Sequence, residues 1–413
     1  MNAPYRVAVT GLGMITPLGI GAEAMWENLL RGDVAVAPLT RFDASEYPSR
    51  IAAQIDDFDP ASFLSRRRVQ WTDRFSQLAV AAARLAVDDA RVHIEAMHDQ
   101  TGVFTGSALG GVALAEEQMN VFHTQGLRSV RPLLTISVFG GAAASNIAIE
   151  FGITGPAGAN SNSCAAGAMA IGEAFRAVRR GDVRVAIAGG VEAPLAPLTY
   201  GAFTVARAMS TNNEDARRAS RPFDAQRDGF VMAEGAGMLV LERYDDAARR
   251  GAPIYGEITG YGASNDAHHM SAPLDDGGQT ASALQRALDD AAVTADEIEA
   301  INAHGSSTRI GDRAEVRAYE RIFGERLAQI PVCATKGQHA HALGATGAWE
   351  IAIALLGMRD RVIPGAVNLQ HADPDCAIDC RTATRETGAR LVLSNSSGFG
   401  GINAAVVLAS SAR

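Results

Sequence analysis

Cys164 stands where the sequence predicts a helix to begin. Four small polar residues lead into it, and helix-forming residues then continue to a stop at Gly181. The unpaired backbone N–H groups and the positive dipole end of a helix N-terminus stabilise a thiolate, the reactive form of cysteine. The alternative is a buried structural cysteine, since free cysteine is among the most buried residue types. A thiolate here would attack a thioester and form an acyl-enzyme.

Two loops in the second half of the sequence could supply partners for this sulfur. His304 follows a strand predicted over residues 298–302, and a later loop carries Lys336, His339 and His341. A loop at a strand end lets a rigid scaffold aim its side chains. Each histidine alone could be structural, because most are satisfied polar residues. Neutral histidines can also donate hydrogen bonds to an enolate, so two of them with a lysine fit carbon–carbon bond formation better than a Cys-His protease.

A glycine turn supplies a third feature that suits acyl transfer. It reads Gly398-Phe399-Gly400-Gly401 and lies between two predicted strands. Glycines let backbone N–H groups come close to an oxygen that becomes negative. The turn therefore predicts an oxyanion hole.

Composition excludes several classes of protein. The 413 residues are 47% hydrophobic and 20% charged with a net charge of -9, which is typical of a globular protein and argues against disorder and against a general nucleic-acid binder. No run of about 18 apolar residues occurs, and no apolar signal core precedes the first strand. The four cysteines form no disulfide framework or zinc motif. We expect a soluble cytoplasmic protein with reduced thiols.

Strands alternate with helices along the chain, which predicts a layered α/β fold. The patterns indicate a helix over 22–30, an amphipathic helix holding Trp71 to Leu85, and a strand over 183–188 buried on both faces. A Gly11-Leu12-Gly13 motif begins like a dinucleotide-binding loop but lacks the third glycine, so it predicts only a tight strand-to-helix turn.

The order of motifs then starts again. Residues 254–262 echo residues 6–13 with an offset of 249, and residues 286–291 echo residues 84–90 with an offset of about 201. Different offsets require an insertion between the two motifs if the halves share an origin. Internal duplication is therefore a hypothesis, with chance similarity as its rival.

Several of these segments together resemble the β-ketoacyl-[acyl-carrier-protein] synthase family, the elongating condensing enzymes of fatty-acid and type II polyketide synthesis. The likeness runs from about Val7 to Leu408 in the family's motif order. The segments that carry it are the Cys164 helix and residues 220–237, 302–312, 335–350 and 394–403. The resemblance implies a duplicated five-layer αβαβα thiolase-like fold with two mixed sheets. It implies an N-terminal half over 1–252 that carries the cysteine and a C-terminal half over 253–413 that carries the histidines, the lysine and the glycine gate loop.

The resemblance also implies catalytic roles. Cys164 would take the acyl chain from an acyl carrier protein, and His304 and His341 would stabilise the enolate formed when malonyl-carrier loses carbon dioxide. Lys336 would order the histidine region electrostatically. The backbone N–H groups of Cys164 and Phe399 would form the oxyanion hole, with Phe399 as the gate to the acyl pocket.

Further residues match binding positions of the family. Ser306 and Thr308 match hydroxyls that contact the phosphopantetheine arm of the carrier, on which the substrates travel; no cofactor is expected on this chain. Asn302, Glu350 and Asn395 match a cation-binding or structural cluster, with no certain metal.

The resemblance assigns partners as well. An acidic acyl carrier protein would meet a local basic patch despite the net negative charge. The residues expected in this patch are Arg66, Arg67, Arg68, Arg128, Arg131 and Arg207. The chain would pair with itself, or with a related subunit of the chain-length-factor kind, and would bind neither nucleic acid nor membrane.

Departures from the family pattern bear on which acyl chain fits. Ser397 replaces the usual phenylalanine of the glycine turn, and His339 adds a polar ring near the second histidine. The residues expected to set specificity are Leu109, His339, Ser397 and Ile402. Trp349 could plug the pocket, but we favour core filling.

Alternative functions differ in the residues they require. Housekeeping fatty-acid elongation and specialised polyketide or polyene assembly with a chain-length factor both stay open. A non-catalytic partner subunit would have lost the nucleophile, whereas Cys164 is present. A degradative thiolase would carry a second cysteine in its glycine motif, which this turn lacks.

Overall fold

Two sets of five strands with the same internal order form the centre of the protein, as seen in a computed structural model that describes residues 4–411. The strands are β1 Val7–Thr16, β2 Gly19–Ile20, β3 Ala37–Pro38, β4 Ile51–Ala52, β5 Thr101–Gly106, β6 Ala157–Asn160, β7 Val185–Glu192, β8 Gly235–Arg243, β9 Gly256–Asn265, β10 Ala300–Asn302, β11 Pro331–Cys333, β12 Val362–Ile363, β13 Asp379–Cys380, β14 Arg385–Glu386, β15 Leu391–Gly398 and β16 Ile402–Ala409.

Helices lie between these strands along the chain. They are α1 Ala22–Leu30, α2 Arg66–Gln70, α3 Arg74–Ala90, α4 Val112–Gln125, α5 Leu134–Ser137, α6 Ala142–Phe151, α7 Ala166–Arg180, α8 Pro197–Val205, α9 Tyr244–Arg249, α10 Gly278–Ala291, α11 Arg309–Phe323, α12 Lys336–His339 and α13 Thr346–Asp360.

Strand order is repeated between the two halves. The first half runs β6-β5-β7-β8-β1 and the second β11-β10-β15-β16-β9, with parallel and antiparallel neighbours at the same places. A short antiparallel pairing of β1 with β9, over Val7 to Val9, joins the two mixed halves into one continuous sheet. The two sheets expected from the sequence are therefore hydrogen-bonded to each other at their β1 and β9 edges.

Helices separate and cover the two sets of strands. α7 and α13 pack on each other, and each contacts strands of both halves. α3 and α6 cover the outer face of the first half with an apolar core of their own, and α10 and α11 do the same for the second. This gives the helix–strand–helix–strand–helix layering of the thiolase-like fold and confirms the predicted fold class.

Glycines in β1 and β9 serve helix packing and not a turn. β1 continues through Gly11 and Gly13, with a register shift in its pairing with β8 between Val9 and Gly11, so the predicted strand-to-helix turn at this motif is wrong. A Cβ on Gly13 would lie 1.9 Å from the Ala82 carbonyl oxygen of α3, and one on Gly262 of β9 would lie 2.2 Å from the Ala283 oxygen of α10. The glycines therefore let each edge strand approach its helix closely.

Equivalent hydrogen bonds in the two halves explain the two sequence offsets. Asp89 of α3 accepts the Leu12 N–H at 2.8 Å, and Asp290 of α10 accepts the Tyr261 N–H at 3.0 Å. The strand residues are 249 apart and the helix residues 201 apart. The difference lies in the connection from strand to helix, which is much longer after β1 than after β9. These paired contacts support internal duplication.

A third correspondence brings two helix starts together. α7 and α13 are offset by 180 residues and have the same length, and each follows a single 3₁₀ turn whose first residue has positive φ, 50° at Ser163 and 43° at Leu343. A Cβ on Gly167 would lie 2.6 Å from the Gly344 carbonyl oxygen. The two helix N-termini therefore meet at the middle of the fold.

Within residues 4–411, no helix has the length and apolar character needed to cross a bilayer.

The close strand–helix approach gives a first prediction. Gly13→Ala should destabilise the protein by about 1–3 kcal/mol, because the new methyl group must displace α3. We expect a lower urea midpoint with an unchanged m-value. Gly388→Ala is the matched control, since its Cβ meets nothing within 4 Å. Equal midpoints for the two variants would contradict this packing.

Candidate active site

Cys164, His304 and His341 line one cavity of about 610 Å³. Residues of both halves form its wall, because the N-termini of α7 and α13 and the turn between β15 and β16 converge there. Other predicted site residues on this wall are Arg207, Ser306, Thr308, Ser397 and Phe399. The structure therefore brings the cysteine and both histidines into one space.

Two backbone N–H groups act on the sulfur of Cys164 and lower the pKa of its thiol. One is its own, in the 3₁₀ turn before α7, and the other belongs to Phe399 in the glycine turn. The turn can come this close because residue 398 is glycine: a Cβ there would lie 2.8 Å from the Cys164 nitrogen. These are the two N–H groups predicted for the oxyanion hole.

Burial raises the pKa of the Cys164 thiol to about 12. The charge of Lys336 and the two N–H groups lower this pKa, and the buried carboxylate of Glu192 raises it further. Burial therefore opposes thiolate formation at Cys164, and the sequence-based expectation that the helix N-terminus stabilises a thiolate stays a prediction.

His304 and His341 face each other edge to face, with ring centroids 5.3 Å apart and an interplanar angle of 79°. Both rings are buried. Burial lowers the pKa of each well below 6.5, and the nearby charge of Lys336 lowers it further. Both imidazoles are therefore neutral at physiological pH, and each can donate one N–H hydrogen bond.

Lys336 is a fully buried cation between these rings and α13. Its ammonium group donates to the backbone carbonyl of His304 and to the carboxylate of Glu350. It therefore acts on the rings through space, while its hydrogen bonds fix the loop that carries His304.

The predicted cation cluster divides into two parts. The Asn302 side chain donates to the Glu350 backbone carbonyl. Two nearby side-chain oxygens, Asn302 Oδ1 and Glu350 Oε2, are buried and have no hydrogen-bond partner within residues 4–411. Oxygen atoms of this kind suit a hard cation. Asn395 instead bonds Glu315 at 3.1 Å and accepts from Tyr319. Among residues 4–411, no group of three His, Cys, Asp or Glu side chains could hold a metal ion.

Sequence reasoning missed three residues that position the site. Glu315 accepts the N–H groups of His304 and Gly305 at 2.6 and 2.8 Å. Thr346 lies 3.0 Å from His341 Nδ1. The available signal was weak: Glu315 is, with Asp312, one of two carboxylates among the buried residues of α11.

The third missed residue, Glu192, joins the two halves beside Cys164. Its carboxylate accepts the Ala108 and Leu109 N–H groups at 2.7 and 3.0 Å and the Gly344 N–H at 3.0 Å. Burial raises its pKa to about 7. The signal for it was a glutamate that ends the buried strand β7.

The predicted pantetheine contacts form a small hydroxyl pair on the cavity wall. Ser306 and Thr308 lie 2.8 Å apart, and Thr308 also caps α11 by accepting the Gly311 N–H at 3.2 Å. Ser306 bonds Asp312 at 3.2 Å. Both hydroxyls are therefore held in fixed orientations at the surface where a substrate arm would pass.

The six arginines predicted for the carrier patch lie on separate elements. Arg207 is exposed and is the member of this set that lines the cavity. Arg66 and Arg67 are exposed on α2, whereas Arg68 pairs with Glu150 at 3.4 Å. The other two, Arg128 and Arg131, are exposed between α4 and α5.

The four predicted specificity residues have different surroundings. Ser397 lines the cavity and donates to Asn403 at 2.9 Å. Leu109 packs with Cys164 in an apolar cluster behind the cavity wall, and Ile402 packs against the main core. Neither Leu109 nor Ile402 is part of the wall itself.

His339 lies away from the cavity and is fully buried. Its two nitrogens contact the Thr335 hydroxyl at 2.9 Å and the Ala340 carbonyl at 2.7 Å. Its ring packs edge to face on Trp349 with centroids 5.5 Å apart. Its placement does not support a direct contact with the acyl chain, because the ring is satisfied within the core. Trp349 is fully buried, in agreement with core filling.

The side chain of Phe399 is the exposed part of the glycine turn. It is 36% exposed and stacks on Phe203 of α8, with centroids 6.1 Å apart. A ring with one free face at a cavity wall is suited to a gate.

Buried neutral histidines predict how stability changes with pH. The unfolded chain takes up protons near pH 6.5, whereas folded His304, His339 and His341 have lowered pKa values, about 3 for His339. The free energy of unfolding should therefore fall as pH is lowered through 6.5. His339→Gln should reduce this slope by about 1.4 kcal/mol per pH unit between about pH 4 and 6.

Urea unfolding at a series of pH values measures this slope. His123→Gln, at an exposed position on α4, is the control and should keep the wild-type slope. A His339→Gln slope equal to the wild-type slope would contradict a buried neutral ring.

Family models match both halves of the chain. A model described as "Beta-ketoacyl synthase, N-terminal domain" matches residues 5–247, and "Beta-ketoacyl synthase, C-terminal domain" matches residues 255–370. The chain is 40% identical to 3-oxoacyl-[acyl-carrier-protein] synthase 2 of Synechocystis sp., over 96% of both chains. It is 39% identical to the protein of the same name from Coxiella burnetii, over 98% of both.

Solved structures with the same fold cover almost the whole chain. A β-ketoacyl synthase from Burkholderia phymatum is 33% identical with a TM-score of 0.91, covering 98% of this chain and 99% of that one. A type II PKS ketosynthase, solved with its acyl-carrier protein and bound to the hexaketide, is 32% identical with a TM-score of 0.91, covering 98% and 100%. The ishigamide ketosynthase/chain length factor is 32% identical with a TM-score of 0.92, covering 99% of this chain and 100% of that one. By its motifs, its fold and these matches, the chain belongs to the β-ketoacyl synthase family.

Proposed function

We propose that this chain is a β-ketoacyl-[acyl-carrier-protein] synthase that condenses a Cys164-bound acyl chain with malonyl-carrier and releases carbon dioxide. The observation that carries the proposal is the shared cavity of Cys164, His304 and His341. Two neutral imidazoles that line one cavity with a cysteine sulfur, on which two backbone N–H groups act, suit acyl transfer followed by enolate chemistry.

Acyl transfer is the first step. The sulfur of Cys164 attacks the thioester carbonyl of acyl-carrier, the new S–C bond forms, and the bond to the carrier sulfur breaks. The thiol proton leaves with the carrier sulfur. The N–H groups of Cys164 and Phe399 stabilise the negative oxygen of the tetrahedral intermediate.

Condensation is the second step. The malonyl carboxylate leaves as carbon dioxide, and its electron pair forms an enolate whose oxygen accepts N–H bonds from His304 and His341. The enolate carbon attacks the acyl carbonyl, and the sulfur of Cys164 leaves as a thiolate and takes up a proton from solvent water. Neutral rings can serve this role because each still carries one N–H to donate to the enolate oxygen.

Lys336 supports this step from behind the rings. Its buried positive charge disfavours protonation of both imidazoles, and its bonds to the His304 carbonyl and to Glu350 hold the loop. We propose that Ser306 and Thr308 bind the phosphopantetheine arm of the carrier, because both residues line the cavity just before α11 begins.

Acylation by a panel of acyl-carrier proteins, followed by intact-mass analysis, tests the proposed function. Wild type should gain the acyl mass on Cys164, and addition of malonyl-carrier should release the elongated β-ketoacyl-carrier. Cys164→Ala should gain no mass. His304→Ala should be acylated but should lose condensation by about 10²-fold or more, since it removes one donor to the enolate.

Cys376→Ala is the control for the mass experiment, because this buried cysteine lies outside the cavity wall. It should be acylated like wild type. Product formation by Cys164→Ala at the wild-type rate would overturn the proposal in favour of a non-catalytic partner subunit.

We propose that the carrier protein docks at the cavity mouth beside Arg207, where an exposed cation adjoins the channel to Cys164. An acidic carrier would be attracted there despite the net charge of -9. Arg66, Arg67, Arg128 and Arg131 could extend this field, whereas Arg68 is already paired with Glu150.

Arg207→Glu should raise the KM for acyl-carrier about tenfold at low salt, with little change in kcat, because it repels an acidic partner. The difference should shrink at high salt. The control is Arg361→Glu. Arg361 follows the C-terminal end of α13, and this helix is roughly 22 Å long and begins beside the cavity. Equal KM values for the two variants would place carrier docking elsewhere.

A second candidate role is the ketosynthase subunit of a specialised polyketide or polyene pathway. Ser397 on the cavity wall and the polyketide ketosynthases among the structural relatives favour it. Relatives named 3-oxoacyl-[acyl-carrier-protein] synthase 2 favour fatty-acid elongation, at 38–40% identity. The acyl group preferred in the mass experiment separates the two roles.

We propose that the chain forms a homodimer through the edge of β6 and the neighbouring helices. β6 pairs with β5 on one side only, and its far edge is the end of the sheet. Phe139 lies beside β6, since both Phe139 and Ala159 approach Gly141. Exposed large apolar side chains in this region are Met119, Phe122, Leu127, Ile136, Val138 and Phe139. An unpaired edge beside exposed apolar surface is typical of an interface.

Native mass spectrometry should give twice the chain mass of 43.2 kDa. Phe122→Glu should shift the population toward monomer, because a charge in an apolar interface is desolvated without a partner. Arg361→Glu is the control for added negative charge. A wild-type monomer that pairs only with a related chain-length-factor-like subunit would replace the homodimer by a heterodimer.

The remaining expectations fit this role. The division into 1–252 and 253–413 falls between α9 and β9, where the two family models also separate. The free state of all four cysteines fits a cytoplasmic enzyme in a reducing compartment.

A further inference from the structure

Thr346 places a buried hydroxyl against one of the two cavity histidines. It is the first residue of α13, its side chain is 1% exposed, and its Oγ1 lies 3.0 Å from His341 Nδ1. A hydroxyl has one proton to donate. Within residues 4–411, the hydrogen bonds of the structure give this hydroxyl no acceptor other than His341 Nδ1.

The direction of this bond follows from burial. If Nδ1 donated its proton to Thr346, the hydroxyl proton would remain buried without an acceptor, which is unfavourable. If Thr346 donates, both groups are satisfied. Nδ1 of His341 is then the acceptor, and the ring proton is on Nε2.

The backbone of His341 is fixed as firmly as its ring. Its N–H donates to the Val231 carbonyl and its carbonyl accepts from Ala233, each at 2.9 Å. His304 differs, because its buried Nδ1 has no hydrogen-bond partner among residues 4–411. One ring therefore has a tautomer set by a neighbour, and the other does not.

We propose that Thr346 is a positioning residue that holds His341 as the Nε2–H tautomer, so that this ring donates its proton to the enolate oxygen during condensation. The inference rests on the proposed function, since it assigns the proton that His341 offers in that reaction. It predicts that loss of the hydroxyl impairs condensation but not acylation of Cys164.

A second threonine–histidine bond supplies a matched control. Thr335 is also buried, and its Oγ1 lies 2.9 Å from His339 Nε2. His339 does not line the cavity. Thr335→Val therefore removes the same kind of bond in the same loop region without reaching the reacting atoms.

The test compares Thr346→Val, Thr346→Ser and Thr335→Val in the full chain. Thr346→Val should lower kcat for condensation at least tenfold, with Cys164 acylated at the wild-type rate. Thr346→Ser restores a hydroxyl and should recover most of this loss. Thr335→Val should stay within about threefold of wild type. Nitrogen-15 spectra of labelled histidine should show His341 as Nε2–H in wild type and Thr346→Ser, and a mixture of tautomers in Thr346→Val.

Different failures have different meanings. Wild-type kcat and an unchanged tautomer in Thr346→Val would overturn the role of Thr346. The tautomer measurement needs no activity, so it decides the matter even if wild type performs no condensation, an outcome that would overturn the proposed function instead. Equal losses of condensation kcat in Thr346→Val and Thr335→Val would also overturn the role of Thr346, because a general disturbance of the loop would then explain both losses.

Discussion

The site depends on one buried cation. Lys336 is held by the His304 carbonyl and by Glu350, and its charge acts on two imidazoles that are themselves removed from water. Burial and this charge both disfavour the protonated rings, so His304 and His341 stay neutral donors. A buried ion pair contributes little net stability, because desolvation offsets its attraction. Its effect here is electrostatic: its charge lowers the pKa of the two histidines that line the cavity.

The duplicated framework explains why the cysteine and histidines meet. Each half delivers one helix, α7 or α13, through a 3₁₀ turn that begins with positive φ, and the two helix starts touch where glycine permits it. The first half places Cys164 in its turn and the second places Gly344 at the same position. One symmetric arrangement therefore yields an asymmetric cavity, with Cys164 from one half and His304 and His341 from the other. Glu192 and the turn at Phe399 then close the space around the sulfur.

Sequence reasoning predicted the elements well where a pattern has one cause. The helix over 22–30 has those bounds in α1, and the strand predicted over 183–188 overlaps β7 Val185–Glu192, whose residues are all buried. It did less well where one motif has several causes. The sequence pattern places Trp71 in the amphipathic helix, but this residue is exposed and precedes the start of α3. The pattern also assigns Gly11 and Gly13 to a turn, whereas both lie within β1. The thiolate predicted at Cys164 from the start of a helix stays a prediction, because a local motif carries no information on burial, and burial raises the pKa of this thiol. Glu315 offers only the weak signal of a carboxylate within a helix, and nothing in the sequence indicates that Thr346 meets the ring of His341, five residues before it.

The central claim is that two neutral rings share the cavity with the sulfur. A histidine NMR titration of His304 and His341 from about pH 5.5 to 8 tests it most directly. The account predicts that neither ring takes up a proton across this range, since the pKa of each lies well below 6.5. A ring that titrates near 6.5 would contradict it, because that histidine would then be exposed to water and would not be held as a neutral donor beside Lys336.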